Sequence, residues 1–224
     1  MDEKMKKVKN NYKTSTNSLY LLFIKRLLDL LISIFALIVF SPLFIIFKFF
    51  YLFGKSKGPM LYKQLRVGKN GKKFWIYKFR SMINGAEIKL RSDPNLYKKY
   101  KKNDFKLPID SDPRITNFGR FIRLTSLDEI PQFINVFKGE MSLVGPRPVI
   151  EEELDNYGTK ERLQKFLSMT PGITGYWQAF GRNKISYPQR CDVELYYIDH
   201  ASFKLDLEII VKSITSITKR DGVY

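Results

Sequence analysis

Between residues 27 and 47 the chain reads LLDLLISIFALIVFSPLFIIF, an apolar run with a single charge, Asp29. Wound as a straight α-helix, such a run is about 30 Å long, enough to cross the hydrocarbon core of a bilayer. Ser41-Pro42 falls two-thirds of the way along, where proline withholds a backbone donor and bends a helix. Both flanks are basic, with Lys25 and Arg26 before the run and Lys48, Lys55 and Lys57 after it. The flanking charges therefore set no orientation. Asp29 stands at helical spacing from Lys25 and Arg26, which predicts an ion pair at the membrane surface. Two topologies satisfy these residues alone. In one, the helix enters the bilayer, breaks at Ser41-Pro42 and returns to the same face, with side chains such as Ser41 serving the freed backbone groups. In the other, it is a bitopic anchor carrying a kink. A cleaved signal peptide fits less well, because no small-residue cleavage site follows and a long basic leader precedes.

Working outward, the 224 residues suffice for one globular unit with appendages. We divide them into a flexible basic tail (1–18), the membrane segment (19–53) and a soluble domain (54–224). The net charge of +17 is uneven. Residues 1–26 hold seven Lys/Arg against two acids and residues 54–102 hold fifteen against two, while 103–224 hold sixteen against seventeen. The positive excess thus flanks the apolar run, which favours anionic lipid as its partner. No nucleic-acid motif accompanies it. A lone cysteine, Cys191, rules out an intrachain disulfide framework, and a lone histidine, His200, rules out a His-rich metal centre and argues against a Ser-His-Asp triad. Any chemistry falls to carboxylates, arginines and lysines.

The soluble part reads as mixed α/β and helix-rich. KKFWIYKFRSM (72–82) predicts a strand, with Phe74 and Ile76 opposite Trp75 and Tyr77, after a hairpin turn in VGKNGKK. Residues 85–102 predict a basic amphipathic helix lying along the membrane. Residues 117–137 predict two short helices joined at Thr125-Ser126. MSLVGPRP (141–148) predicts a brief strand and a stiff turn, followed by a helix from Glu151. TPGITGYWQAFGR (170–182) reads as loop and short strand. Near the C-terminus Phe203, Leu207, Ile210, Ile214 and Ile217 share one helical face, for core or membrane packing.

RLTSLDEIPQF (123–133) sets two carboxylates, Asp128 and Glu129, side by side in a basic chain. Ser126 and Glu129 fit a capping box, which would make the acids helix caps and nothing more. Pro131 leaves open whether that helix is kinked or starts later. The same geometry allows one carboxylate to attack while its neighbour holds a metal, and a helix N-terminus attracts phosphate. Arg80, Arg114, Arg123 and Arg147 are suited to bidentate phosphate contacts.

These residues, taken in order, resemble a known family. KRLLD (25–29), Ser41-Pro42, YKFRSM (77–82), DPRIT (112–116), TSLDEIPQ (125–132), MSLVGPRP (141–148) and PGITGYWQ (171–178) are similar to the motifs of the small monotopic phosphoglycosyl transferases, the bacterial sugar transferase family. The resemblance runs from about Leu21 to Tyr224. It implies a re-entrant helix-break-helix at Ser41 and Pro42, anchored at the interface by Lys25, Arg26 and Asp29. A small cytosolic catalytic domain with interfacial helices would follow, on the inner membrane of a bacterium. It implies that Asp128 is the nucleophile and that Glu129 binds Mg²⁺. In that scheme a UDP-sugar gives its sugar phosphate to Asp128, UMP leaves, and polyprenyl (undecaprenyl) phosphate takes the sugar phosphate onward into polysaccharide, capsule or lipopolysaccharide assembly. By the same analogy Lys78, Arg80 and Arg147 contact substrate, with Arg114, Arg123, Asp112 and Gln132 as further candidates. A homodimer is compatible with it. The chain resembles the catalytic module without the multi-helix N-terminal region of longer members. Residues 92–110 and the closing RDGVY resemble the hexose branch, which favours galactose or glucose, with or without an N-acetyl group. Two other readings compete: a non-catalytic membrane adaptor, and a transferase acting by direct displacement from a true membrane span.

Overall fold

The computed structural model describes residues 20–218 apart from 104, 106 and 182–184. The basic tail and RDGVY lie outside the described residues, as do the side chains of Lys55 and Ile217. A π-helical turn, Tyr20–Ile24, leads into helix α1, Lys25–Phe50. The apolar run forms this helix without interruption, with Pro42 inside it. The expected break at Ser41-Pro42 is therefore not a departure from helical structure. Pro42 has no N–H to offer the Ile38 carbonyl, and the Ser41 hydroxyl donates to that carbonyl instead, at 2.8 Å. The serine supplies the bond that the proline withholds.

The fold rests on how α1 meets the soluble domain. Lys25, Asp29, Ser33, Ala36 and Phe47 are buried, and Phe40 and Phe44 pack against buried neighbours. At spacings of three and four residues they form one stripe along the helix. The opposite face is exposed and apolar, including Phe35, Ile38 and Ile45. The KRLLD charges do not pair with one another as expected. Lys25 forms an ion pair with Asp206, Arg26 donates to the carbonyls of Val136 and Phe137 at 2.7 and 2.9 Å, and Asp29 accepts from the Leu143 N–H at 2.9 Å. Buried charge is tolerable only with such partners, and here the partners belong to the domain.

Strands β1 (Leu61–Val67) and β2 (Lys73–Phe79) form the expected hairpin, in register from Leu61↔Phe79 to Val67↔Lys73. Phe74 and Ile76 face inward, and Trp75 faces out. Helix α2 (Ala86–Ser92) is separated from α3 (Pro94–Lys102) by Asp93, whose carboxylate caps α3. Pro94 cannot continue a helix from behind, so the single expected helix is two. Helices α4 (Asn117–Leu124) and α5 (Gln132–Lys138) follow. A parallel pair, β3 (Ser142–Val144) and β4 (Gly172–Thr174), brings the two later loops together. Between them a 3₁₀ turn, Glu151–Tyr157, takes the place of the expected α-helix, and α6 (Lys160–Leu167) comes after it. Helices α7 (Gln189–His200) and α8 (Phe203–Thr218) close the chain around a core that includes Val144, Val149, Tyr157, Leu195 and Ile209. On α8 the face differs from expectation by one residue. Ile210 turns toward the core beside Asp206 and Ile209, while Val211 joins Phe203, Leu207 and Ile214 on the exposed apolar face.

Candidate active site

A cleft of about 820 Å³ opens between the β1–β2 hairpin, α2 and α3, the Leu127–Glu129 turn and the β4 end of the domain. Ser126 enters that turn at φ +56°, a left-handed conformation uncommon outside glycine, and makes no capping bond. The expected capping box is thus absent. Leu127–Glu129 is one 3₁₀ turn, and α5 starts after Pro131, where a missing N–H costs nothing. This sharp turn puts Asp128 into the cleft while leaving it only 8% exposed.

Burial pushes the Asp128 carboxyl up to about 6; the Lys78 ammonium offsets part of this, and the neighbouring Glu129 adds to it. Lys78, on β2, forms an ion pair with Glu129 at 2.7 Å. Arg123, on α4, donates through Nε to Ser81 Oγ at 2.7 Å and lines the same cleft. Burial lowers its pKa and the Asp128 charge opposes that. The approach of α4 to Ser81 depends on Gly119: a Cβ there would lie 1.7 Å from the Ser81 carbonyl oxygen.

Arg80, Arg114 and Arg147 line the same cleft, each with different partners. Arg80 donates Nε to Pro59 O (2.7 Å), Nη1 to Met82 O (3.0 Å) and Nη2 to Ser56 O (2.5 Å), with the Tyr51 ring 5.3 Å away. It braces three backbone carbonyls, two of them in the 56–59 stretch, at the cleft wall. Arg114 is bound by Asp112 through two bonds of 2.8 and 2.7 Å, so each consumes the other's charge. Gln132, 3% exposed on α5, is not part of the cleft wall. Arg147 does line it, held between two prolines; its N–H donates to Glu194 Oε1 at 3.2 Å and its guanidinium lies 5.8 Å from the Trp177 ring. Arg190 stacks on Trp177 at 4.3 Å.

The sequence reading did not single out Tyr62, Ile88, Tyr100 or Phe105 on one wall, nor Thr174, Gln178 and Ser213 on the other. The tyrosines of 97–105 and the polar end of PGITGYWQ were the available signals. Residues 86–102, expected along the membrane, supply cleft wall through Ala86, Glu87, Ile88 and Tyr100. For a metal, no group of three acidic, His or Cys side chains converges among the described residues. Asp128 with Glu129 still suits Mg²⁺, which binds through one or two carboxylates and fills its shell with phosphate and water.

Residues 20–220 match the family model for bacterial sugar transferases. The chain belongs to that family. This sugar transferase is 44% identical over 206 residues to an undecaprenyl-phosphate galactose phosphotransferase of Salmonella typhimurium, covering 90% of the chain and 42% of the relative. It is 38% identical over 204 residues to the exopolysaccharide production protein ExoY of Sinorhizobium fredii, covering 89% and 88%. Against a UDP-N-acetylgalactosamine-undecaprenyl-phosphate N-acetylgalactosaminephosphotransferase of Aeromonas hydrophila the identity is 34% over 199 residues, covering 87% and 44%. The sugar transferase thus spans less than half the length of several relatives and most of the length of ExoY.

Proposed function

We propose that the chain transfers a hexose 1-phosphate from a UDP-sugar to polyprenyl phosphate, releasing UMP, at the cytosolic face of a bacterial inner membrane. The observation that carries this reading is the placement of Asp128: a buried carboxylate facing a cleft that Lys78, Arg123 and Arg147 also line, in a domain that rests on an apolar helix. Relatives named for galactose and N-acetylgalactosamine phosphotransfer to undecaprenyl phosphate support the donor and acceptor classes.

In the first step a carboxylate oxygen of Asp128 bonds to the sugar-bearing phosphorus. The anhydride P–O bond breaks and its electron pair leaves with UMP. In the second, an oxygen of polyprenyl phosphate attacks the same phosphorus, the acyl phosphate bond breaks and the carboxylate is restored. Splitting the transfer spares two anionic phosphates a direct encounter. Lys78 and Arg123 hold positive charge beside the nucleophile, where a dry site makes it most effective. Arg147 suits the outgoing or incoming phosphate. When bound by Glu129, Mg²⁺ would neutralise diphosphate charge.

The stripe on α1 supports monotopic placement. Contacts to one domain start at Lys25, pass through Asp29 and Phe44 and reach Tyr51, whose hydroxyl donates to Arg80 O. A helix attached along its length to one body favours the re-entrant reading over a span that leaves that body behind. To test the function, labelled UDP-galactose is added without acceptor. Covalent label on Asp128, discharged by polyprenyl phosphate and absent from Asp128→Asn, is expected. Product formation with no label on the protein would refute the two-step route.

A further inference from the structure

A second opening lies at the far end of α1. It is a groove of about 530 Å³ walled by Phe49, Phe50, Phe53 and Phe118, with Ser56 and Thr116 at its inner end. Three of these rings are largely uncovered: Phe49, Phe50 and Phe53 are 62%, 51% and 72% exposed. The floor is fixed, because Phe118 stacks on Phe50 with centroids 4.6 Å apart and packs edge-on against Phe47 and Tyr51.

The groove and the cleft lie on either side of one segment. Ser56 Oγ bonds Thr116 Oγ1 at 3.2 Å, and the Ser56 carbonyl accepts from Arg80, which itself lines the cleft. The 54–59 segment has the groove on one side, through Gly54 and Ser56, and the cleft on the other, through Pro59. Helix α4 is divided in the same way: Phe118 faces the groove and Arg123 the cleft. One partition thus separates an aromatic trough, continuous with the exposed face of α1, from a cationic chamber holding Asp128.

An acceptor with a long apolar tail and one phosphate must present those two ends to two such compartments at once. We propose that the groove binds the head-proximal isoprene units of the polyprenyl phosphate acceptor, its phosphate reaching over the 54–59 segment to the cleft. This rests on the proposed function for the acceptor's identity. The rest of the tail continues along the exposed face of α1 into the bilayer. Aromatic rings offer flat, rigid apolar surface to an unsaturated branched chain, and each methylene removed from water strengthens binding about fourfold.

The test is photo-crosslinking of the full chain in nanodiscs with a polyprenyl phosphate bearing a diazirine in its first isoprene units. Adducts are expected on Phe50, Phe53 or Phe118, to be competed by unlabelled polyprenyl phosphate and not by excess phosphatidylglycerol. Adducts confined to other faces of α1, or equal competition by phosphatidylglycerol, would overturn the proposal and leave an ordinary lipid contact. Kinetics add a second arm. Phe53→Ser is expected to raise KM for the long-chain acceptor roughly tenfold. It should raise KM for a two-isoprene phosphate acceptor by a similar factor, because both acceptors carry the head-proximal units, while Leu207→Ser, on the exposed face of α8 away from the groove, should move neither. A shift confined to the long-chain acceptor, or equal shifts for both variants, counts against the groove. Label transfer from UDP-galactose to the protein is read separately, so a failure of the proposed chemistry shows there and leaves the crosslinking result to stand or fall on its own.

Discussion

Asp128 is buried beside Lys78 and Glu129, and this arrangement fixes how the site must respond to acid. Only the ionised carboxylate attacks phosphorus, so the rate of UMP release from donor alone should rise through about pH 6 and level off above it. Lys78→Gln removes the charge that holds the carboxyl down, and the midpoint should move to higher pH. A profile that stays in place would separate the rate from Asp128. Stability runs the other way. The folded pKa lies above the ordinary value of 3.8, so this contribution is complete below that value and disappears as pH rises through about 6. Asp128→Asn should therefore raise Tm by roughly 2–6 °C at pH 8 and less at pH 5. The same variant should lose label transfer by at least about a thousandfold.

At the scale of elements, two contacts hold the site in place. Lys25 and Asp206 form a buried pair that also engages the hydroxyls of Tyr20 and Tyr197, at 2.5 and 2.6 Å from the Asp206 carboxylate. Removing one partner strands the other, so Lys25→Met should destabilise by about 3–5 kcal/mol. Lys25→Met with Asp206→Leu should recover much of that loss, as thermal unfolding in detergent would show. The second contact is α4 on Ser81. Gly119→Ala puts a methyl carbon 1.7 Å from a backbone oxygen that no side-chain rotation can move, so α4 must shift, at about 1–3 kcal/mol. Arg123 moves with it and loses Ser81 Oγ. UMP release should fall more than stability alone explains, and unchanged turnover would show that Arg123 is not needed there.

At the scale of the whole molecule, the exposed apolar face of α1, Phe121 and Leu124 of α4, and Phe203, Leu207, Val211 and Ile214 of α8 are surfaces that the proposed membrane placement would cover. Tags placed before Leu19 and after Tyr224 should both report the cytosol; tags on opposite sides would restore the spanning alternative. The excess Lys/Arg flanking the apolar run should make binding to anionic vesicles fall as salt rises, while neutral vesicles, held by apolar burial, respond less.

The sequence by itself determined the apolar helix, the β1–β2 hairpin and the facing of Phe74 and Ile76, and, through its ordered motifs, the family. These depend on local periodicity and on residue types read in order. Only the tertiary structure decided which charges are free to act. Arg80, Arg114 and Arg123 look alike in sequence and all line the cleft, yet one braces three carbonyls, one is taken by Asp112, and one bonds Ser81 beside Asp128. Lys25 and Asp29 are neighbours on one helix turn, but their partners, Asp206 and Leu143, lie far away along the chain. A long side chain's partner is set by which backbone and carboxylates folding brings within about 3 Å, and residue spacing carries no record of that.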